Sequence, residues 1–200
     1  MLPFSFAISR DDVVPPAPPA AAAPPSLEAR LSNGDPQAVD EAYRLHHAAI
    51  RGFARKLVGD DDVAEDLVHD TFLALPDAIR RFRGDASLRT FLTAIALRRG
   101  HKYIRSAGRR RAAFAKLADQ PLPASRRPDD DLAREQLAVI LYRALDKLPD
   151  DQRAAFVLCE IDQLSAAEAG VITGAPEATM RTRLFHARKK LRALLEKEVP

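Results

Sequence analysis

Nine cations lie between Ala86 and Ala118 (Arg89, Arg98, Arg99, Lys102, Arg105, Arg109, Arg110, Arg111 and Lys116), in a stretch that holds no Asp or Glu. A second block from Ala178 to Leu195 carries Arg181, Arg183, Arg188, Lys189, Lys190 and Arg192, again without an acid. Guanidinium and ammonium groups grouped in this way neutralise phosphates and release their counterions, so the chemistry on offer is polyanion binding. Between Leu57 and Ile79 the sign inverts, with Asp60, Asp61, Asp62, Glu65, Asp66, Asp70 and Asp77 and no Lys or Arg. An acidic surface of that kind suits a basic partner, because complementary charge steers association and suppresses wrong partners.

Reaction chemistry finds no comparable support. There is no Gly-rich phosphate loop, no Ser/His/Asp order of catalytic type and no zinc-finger spacing. His46 and His47 are adjacent and so face different sides of a helix, while His69 beside Asp66 and Asp70 has no second cluster to complete four ligands. The lone Cys159 follows Phe156 and Leu158, where a small buried residue is expected. The expectation is a binding protein with no catalytic residue, no metal and no cofactor.

The elements that would position these charges read as helices throughout. Asp35 before Pro36 is an N-cap followed by proline at the first helical position, opening a helix through Val39, Tyr43, Ile50, Phe53 and Leu57 that Gly59 ends. The acidic segment places Val63, Leu67, Val68, Thr71, Phe72, Leu75 and Ile79 at three/four spacing, which leaves Glu65, Asp66, His69 and Asp70 on the opposite face. After Gly84 and Asp85, Ser87 caps a third helix with Leu88, Phe91, Leu92, Ile95 and Ile104 inward and the basic block outward. Phe82 and Phe91 fall in register with the apolar stripe and are expected in the core, whereas Tyr103 is the aromatic placed to stack on a base.

Near the C-terminus, Ser165 and Glu168 form a capping box that starts a short helix, Gly174 ends it, and Pro176 opens the next. Met180, Leu184, Ala187, Leu191 and Leu194 make the apolar stripe of that last helix; Ala178, Arg181, Thr182, Phe185, Arg188 and Lys189 make the opposite one. A capped helix, a glycine turn and a helix with a basic outer face is a helix-turn-helix layout. The expected fold is all-α, with two small helical domains joined by a flexible linker and a helix-turn-helix in the second. The boundaries read as a Pro/Ala-rich tail at 1–26, a first domain at 27–106, a linker at 107–131 and a second domain at 132–200. Seven of the 15 prolines stand in the tail, a composition that cannot bury enough apolar surface to fold.

Across its 200 residues the chain is 46% hydrophobic and 30% charged with a net charge of +3, and it has no window of roughly 18 uninterrupted apolar residues. No membrane insertion and a cytoplasmic location are expected.

Three segments resemble the extracytoplasmic-function group of bacterial sigma factors, the small members of the sigma-70 family. They are DDVAEDLVHDTFLAL from Asp61, RRFRGDASLRTFLTAIALRR from Arg80, and LDKLPDDQRAAFVL with LSAAEAGVITGAPEATMRTRLFHARKKL, from Leu145 to Leu191. The resemblance implies promoter-specific transcription initiation, including promoter melting, with core RNA polymerase and promoter DNA as partners and an anti-sigma factor as inhibitor. It implies that Glu65, Asp66, His69 and Asp70 dock on polymerase. Gly84, Asp85, Ala86 and Ser87 would form a pocket for a flipped base of the minus-ten element, with Arg89, Arg98, Arg99, Lys102 and Arg105 on phosphates. Glu177, Ala178, Arg181 and Thr182 would meet base edges of the minus-thirty-five element, with Arg183, Arg188 and Lys189 on its backbone.

The sequence departs from the family pattern at Phe91, where Trp is common, at Arg98, where Asn is common, and at Lys102, near which Asp is usual. Gly170 replaces the usual Ala and is expected to cost its helix up to about 1 kcal/mol. Two other classes stay open on the residues alone. A stand-alone helix-turn-helix regulator would explain the last 50 residues but leave the acidic helix idle. A basic membrane-surface protein would need an apolar face open to lipid.

Overall fold

The computed structural model describes residues 25–115 and 132–196. The Pro/Ala-rich tail up to position 24 and the part of the expected linker at 116–131 lie outside the described residues. Among the described residues there are eight α-helices and no strand. They are α1 (Leu27–Ser32), α2 (Pro36–Val58), α3 (Asp61–Ala78), α4 (Leu88–Ala115), α5 (Leu132–Asp146), α6 (Asp150–Phe156), α7 (Ala166–Thr173) and α8 (Glu177–Leu195). A 3-10 turn at Ile79–Arg81 follows α3, and a π-turn at Val157–Ile161 follows α6.

Local chemistry sets the boundaries. The Asp35 carboxylate accepts from the Gln37 amide at 2.9 Å with Pro36 at the first position, and Gly59 closes α2 at φ 80° while donating to the Arg55 carbonyl. Asp60 caps α3 through the Val63 amide, and Ser87 caps α4 through the Thr90 amide. The capping box of α7 is present in both directions, Ser165 with Glu168, and Gly174 ends that helix at φ 69°.

Two boundaries differ from expectation. Helix α1, capped by Ser26, is an extra element that the proline-rich approach to it obscured. Helix α4 continues to Ala115, so the stretch 107–115, expected as linker, is helical. Its run of Ala and Arg is helix-favouring even though the apolar period has faded.

Helices α1–α4 form an N-terminal half and α5–α8 a C-terminal half, and the two are packed together. One buried cluster contains Ile50, Phe53, Leu57, Leu92 and Leu97 from the first half with Ala154, Leu158 and Ile172 from the second. Each buried aliphatic or aromatic side chain there contributes about 1.5–3 kcal/mol relative to exposure, which makes burial the main cohesive term.

Gly170 has a packing reason. A Cβ at that position would lie 2.6 Å from the Ala175 carbonyl oxygen, so the turn into α8 passes directly over it. The expected cost of glycine in α7 is thereby reversed: the close approach of the turn requires it.

Candidate nucleic-acid interface

Helix α3 buries Leu67, Val68, Thr71, Phe72 and Leu75 and holds Asp66, His69 and Asp70 outward, as its period requires. Leu73 shares that outer face and is 65% exposed, an apolar centre among the acids that the sequence pattern did not single out. Asp66, His69 and Asp70 line one shallow depression with Arg99, Lys102 and Tyr103 of α4. Arg99 lies 3.4 Å from Asp70. Glu65 is directed elsewhere. It pairs with His47 at 3.2 Å and Arg51 at 2.8 Å on α2, and these hydrogen bonds hold its carboxyl below the usual range. The α2–α3 seam is completed by Asp61, which pairs with Arg51 at 3.2 Å and also with Arg55.

The basic residues of α4 do not share one face. Arg99 and Lys102 turn toward α3, while Arg98 enters a cleft on the other side. Arg105 turns toward Asp150 at 3.5 Å, and Arg89 lines a separate pocket with Lys56 and Asp162. Steps of 100° per residue distribute a long cationic run around the helix rather than along a stripe.

The cleft holding Arg98 has a volume of about 540 Å³. Arg83, Asp85, Ala86 and Thr90 form one wall, joined by the rings of Phe82 and Phe91, whose centroids are 5.0 Å apart. Gly84 stands at the bend of this loop with φ 78°. Phe82 and Phe91 are half-buried and pack against the main core, as their register requires, while their remaining surface joins Arg81, Arg83 and Arg98 in an aromatic and cationic cleft lining. Their match to the apolar period disguised this position in the sequence. Ser87 sits at the α4 cap instead of in the cleft, bonding the Thr90 amide at 3.1 Å. The opposite wall belongs to the C-terminal half: Asp151, Val171, Gly174, Ala175 and Arg183.

Helix α8 buries Met180 against α6 and α7 and Ala187 and Leu191 against Ala144, Leu145 and Leu148 at the end of α5. Its outer face exposes Glu177, Ala178, Arg181, Thr182, Phe185, Arg188 and Lys189, with Phe185 at 62%. Arg181 pairs with Glu177, Arg183 with Asp151 at 2.6 Å, and Arg188 Nε with Glu160 at 3.0 Å. Such partly exposed pairs contribute little to stability, and phosphates can replace their carboxylates.

Among the described residues no group of three or more His, Cys, Asp or Glu is disposed to hold a metal ion, and no helix is long and apolar enough to cross a membrane. Cys159 is half-buried in the π-turn, where burial raises its thiol pKa.

Comparison with known proteins gives concordant results. The family model described as Sigma-70 region 2 matches residues 42–110, and Sigma-70, region 4 matches residues 138–191. The RNA polymerase sigma-H factor of Pseudomonas aeruginosa is 27% identical over 178 residues, covering 85% of this chain and 92% of the relative. The ECF RNA polymerase sigma-E factor of Escherichia coli K12 is 29% identical over 173 residues, covering 82% and 90%. Among solved structures, CnrH in complex with the cytosolic domain of CnrY superposes with TM-score 0.59 at 26% identity, covering 86% of this chain and 96% of that one. The sigma factor RpoE of Bartonella quintana, in complex with the anti-sigma factor NepR, gives 0.55 at 26% identity, covering 78% and 96%.

Proposed function

The chain belongs to the extracytoplasmic-function group of the sigma-70 family, and we propose that it binds core RNA polymerase and directs promoter-specific transcription initiation through a division of labour between its two halves. The observation that carries this reading is the placement of two different surfaces on opposite sides of α4 in the first half. The acidic α3 face, with exposed Leu73, meets α4 at Arg99 and Lys102, the aromatic, cationic cleft opens on the other side at Arg98, and a helix-turn-helix ends the second half.

Asp66, His69 and Asp70 supply charge and Leu73 apolar area to the polymerase contact, an arrangement suited to a basic surface with a hydrophobic centre. Glu65 supports that surface from behind by tying α3 to α2. In the promoter, Asp85 and Ala86, presented by the bend at Gly84, shape the wall of the cleft that would receive an unpaired minus-ten base, and Phe82 and Phe91 offer ring faces to stack on it. Arg98 supplies phosphate-binding charge in the cleft itself, while Arg89, Arg99, Lys102 and Arg105 would meet phosphates of strands that run past it around α4. Capture of bases that have left the duplex drives melting at a few kcal/mol per unstacked base, and it needs no acid, base or nucleophile. The protein accordingly acts as a regulatory initiation factor without a catalytic centre or cofactor, in the cytoplasm where polymerase resides.

At the minus-thirty-five element, the first turns of α8 present Glu177, Ala178, Arg181 and Thr182 to the major groove, with Phe185 able to pack on a thymine methyl. Arg183, Arg188 and Lys189 fix register on the phosphates. The complex of the neighbour RpoE with the anti-sigma factor NepR supports a similar protein inhibitor for this chain.

The test is run-off transcription from a pool of genomic fragments by core polymerase with and without the protein. Enrichment of a defined set of start sites is the expected result. Binding of duplex DNA by the protein alone, with no effect on initiation by core polymerase, would support a stand-alone regulator instead.

A further inference from the structure

The charges that line the Arg98 cleft divide into paired and unpaired groups. Asp151 and Arg183 bind each other at 2.6 Å. Asp85 and Arg98 line the same cleft, and neither makes an ion pair among the described residues. Arg98 donates only from Nε, to the Ala94 carbonyl of its own helix at 3.2 Å, which leaves both terminal nitrogens of the guanidinium for a ligand. The Asp85 carboxylate is exposed and keeps both oxygens free.

Their placement comes from one element. Phe91, Ala94 and Arg98 recur at three/four spacing and so share the face of α4 that lines the cleft, with the small Ala94 side chain between ring and guanidinium. Asp85 is held just ahead of the same helix, between the bend at Gly84 with φ 78° and the Ser87 cap, whose hydroxyl accepts from the Thr90 amide at 3.1 Å. A carboxylate, a guanidinium fork and two aromatic rings are thus fixed by the start of one helix.

A carboxylate accepts through two oxygens, and a guanidinium donates through two nitrogens. A base that satisfies both forks needs two adjacent donors on one edge and two adjacent acceptors on another. Guanine has them, with N1–H and the N2 amino group beside each other and O6 beside N7. Adenine and cytosine each present a single donor group, and the N3–H of thymine lies between two carbonyls that repel a carboxylate.

We propose that this cleft is selective for guanine: it takes an unpaired guanine of the minus-ten strand, stacked on Phe82 and Phe91, with Asp85 on N1–H and the N2 amino group and Arg98 on O6 and N7. The assignment rests on the sigma factor reading above and names the base that reading leaves open. Arg81 and Arg83, exposed and without partners among the described residues, line the same cleft and suit the phosphates flanking that base. Phosphate contacts carry no sequence information, so the selectivity lies with Asp85 and Arg98.

The test assembles holoenzyme from core RNA polymerase and the full-length chain and measures binding of fluorescent oligo-dT strands with one central dG, dA, dC or dT, core polymerase alone serving as background. The dG strand is expected to bind about tenfold more tightly than the others. A deaza analogue of guanine lacking N7, and hypoxanthine, which lacks the N2 amino group, should each weaken binding. Arg98→Lys keeps the charge but not the fork, and should bind dG and the deaza strand alike. Asp85→Ala should bind dG and the hypoxanthine strand alike. Both side chains are exposed, and both variants should bind core polymerase as the wild type does. A holoenzyme that binds the four strands alike, or a dG preference that survives both substitutions, would overturn the guanine assignment. Tighter binding of free guanosine monophosphate than of the dG strand would make the occupant a small nucleotide and overturn its assignment to a promoter strand. Failure of the wild-type chain to bind core polymerase would instead overturn the sigma factor reading.

Discussion

Arg153 and Leu57 are 96 residues apart in sequence, yet the guanidinium Nε of one donates at 2.7 Å to the backbone carbonyl of the other. A fully buried cation is held by a helix end in one half of the chain and by Asp146 in its own half. Removing that cation takes the donor from the buried Leu57 carbonyl and one partner from Asp146, so the two halves are coupled through one side chain.

The first prediction concerns that residue. Arg153→Ala should destabilise the protein by about 2–4 kcal/mol, because it removes a buried hydrogen-bonded charge and opens a cavity. Arg153→Met should cost less, since the aliphatic volume is kept. Urea unfolding of both variants checks this; equal stability of wild type and Arg153→Ala would contradict the burial.

A second prediction follows from His101. Burial between α4 and α6 depresses its pKa, partly offset by Asp150 and Asp151 and assisted by Arg105, and His46 is shifted the same way by burial and Arg89. A histidine with a depressed native pKa binds fewer protons folded than unfolded, so stability falls as pH drops through the ordinary imidazole value of about 6.5. Urea midpoints should decrease between about pH 7.5 and about pH 5.5. The dependence should become shallower in His101→Gln, with the His46 contribution remaining. An unchanged pH dependence in that variant would refute the assignment.

Much of this was legible beforehand. Ser165, Glu168 and Gly174 act on their own neighbours, so local chemistry alone located α7 and its turn. The same holds for the outward placement of Asp66, His69 and Asp70 on α3. What was not legible depends on distant partners. Nothing near Arg153 announces a carbonyl acceptor in α2, and nothing near Gly170 announces the Ala175 oxygen that excludes a Cβ. Phe82 and Phe91 fit an apolar period while facing a cleft whose far wall comes from the other half. The cations of α4 read as one surface because a linear run conceals how the helix fans them out.

Discrimination at the minus-thirty-five element gives the third prediction. Arg181→Ala should lose about 1–3 kcal/mol of preference for the cognate over a mutated element, as expected for a base-edge contact. Lys189→Ala should weaken cognate and mutated sites alike and lower the salt slope of binding by about 1. Titrations of holoenzyme on both duplexes at several salt concentrations separate the two, and a uniform loss in Arg181→Ala would reassign it to the backbone.

Base capture supplies the fourth. Phe82→Ala with Phe91→Ala should slow open-complex formation at least tenfold while leaving polymerase affinity unchanged, since neither ring lines the α3 depression. Permanganate reactivity of promoter thymines reports the opening directly, and wild-type reactivity in the double variant would remove the rings from the capture surface.

The most direct measurement is a titration of core RNA polymerase with labelled full-length protein, in wild-type form and as the Asp66→Arg, Asp70→Arg double variant. Both carboxylates are exposed, and Asp70 makes only a 3.4 Å surface pair with Arg99, so the variant should fold normally by circular dichroism. The expected result is saturable binding by the wild type, lost at least a hundredfold on charge reversal. Equal affinity of the two proteins would contradict docking through α3.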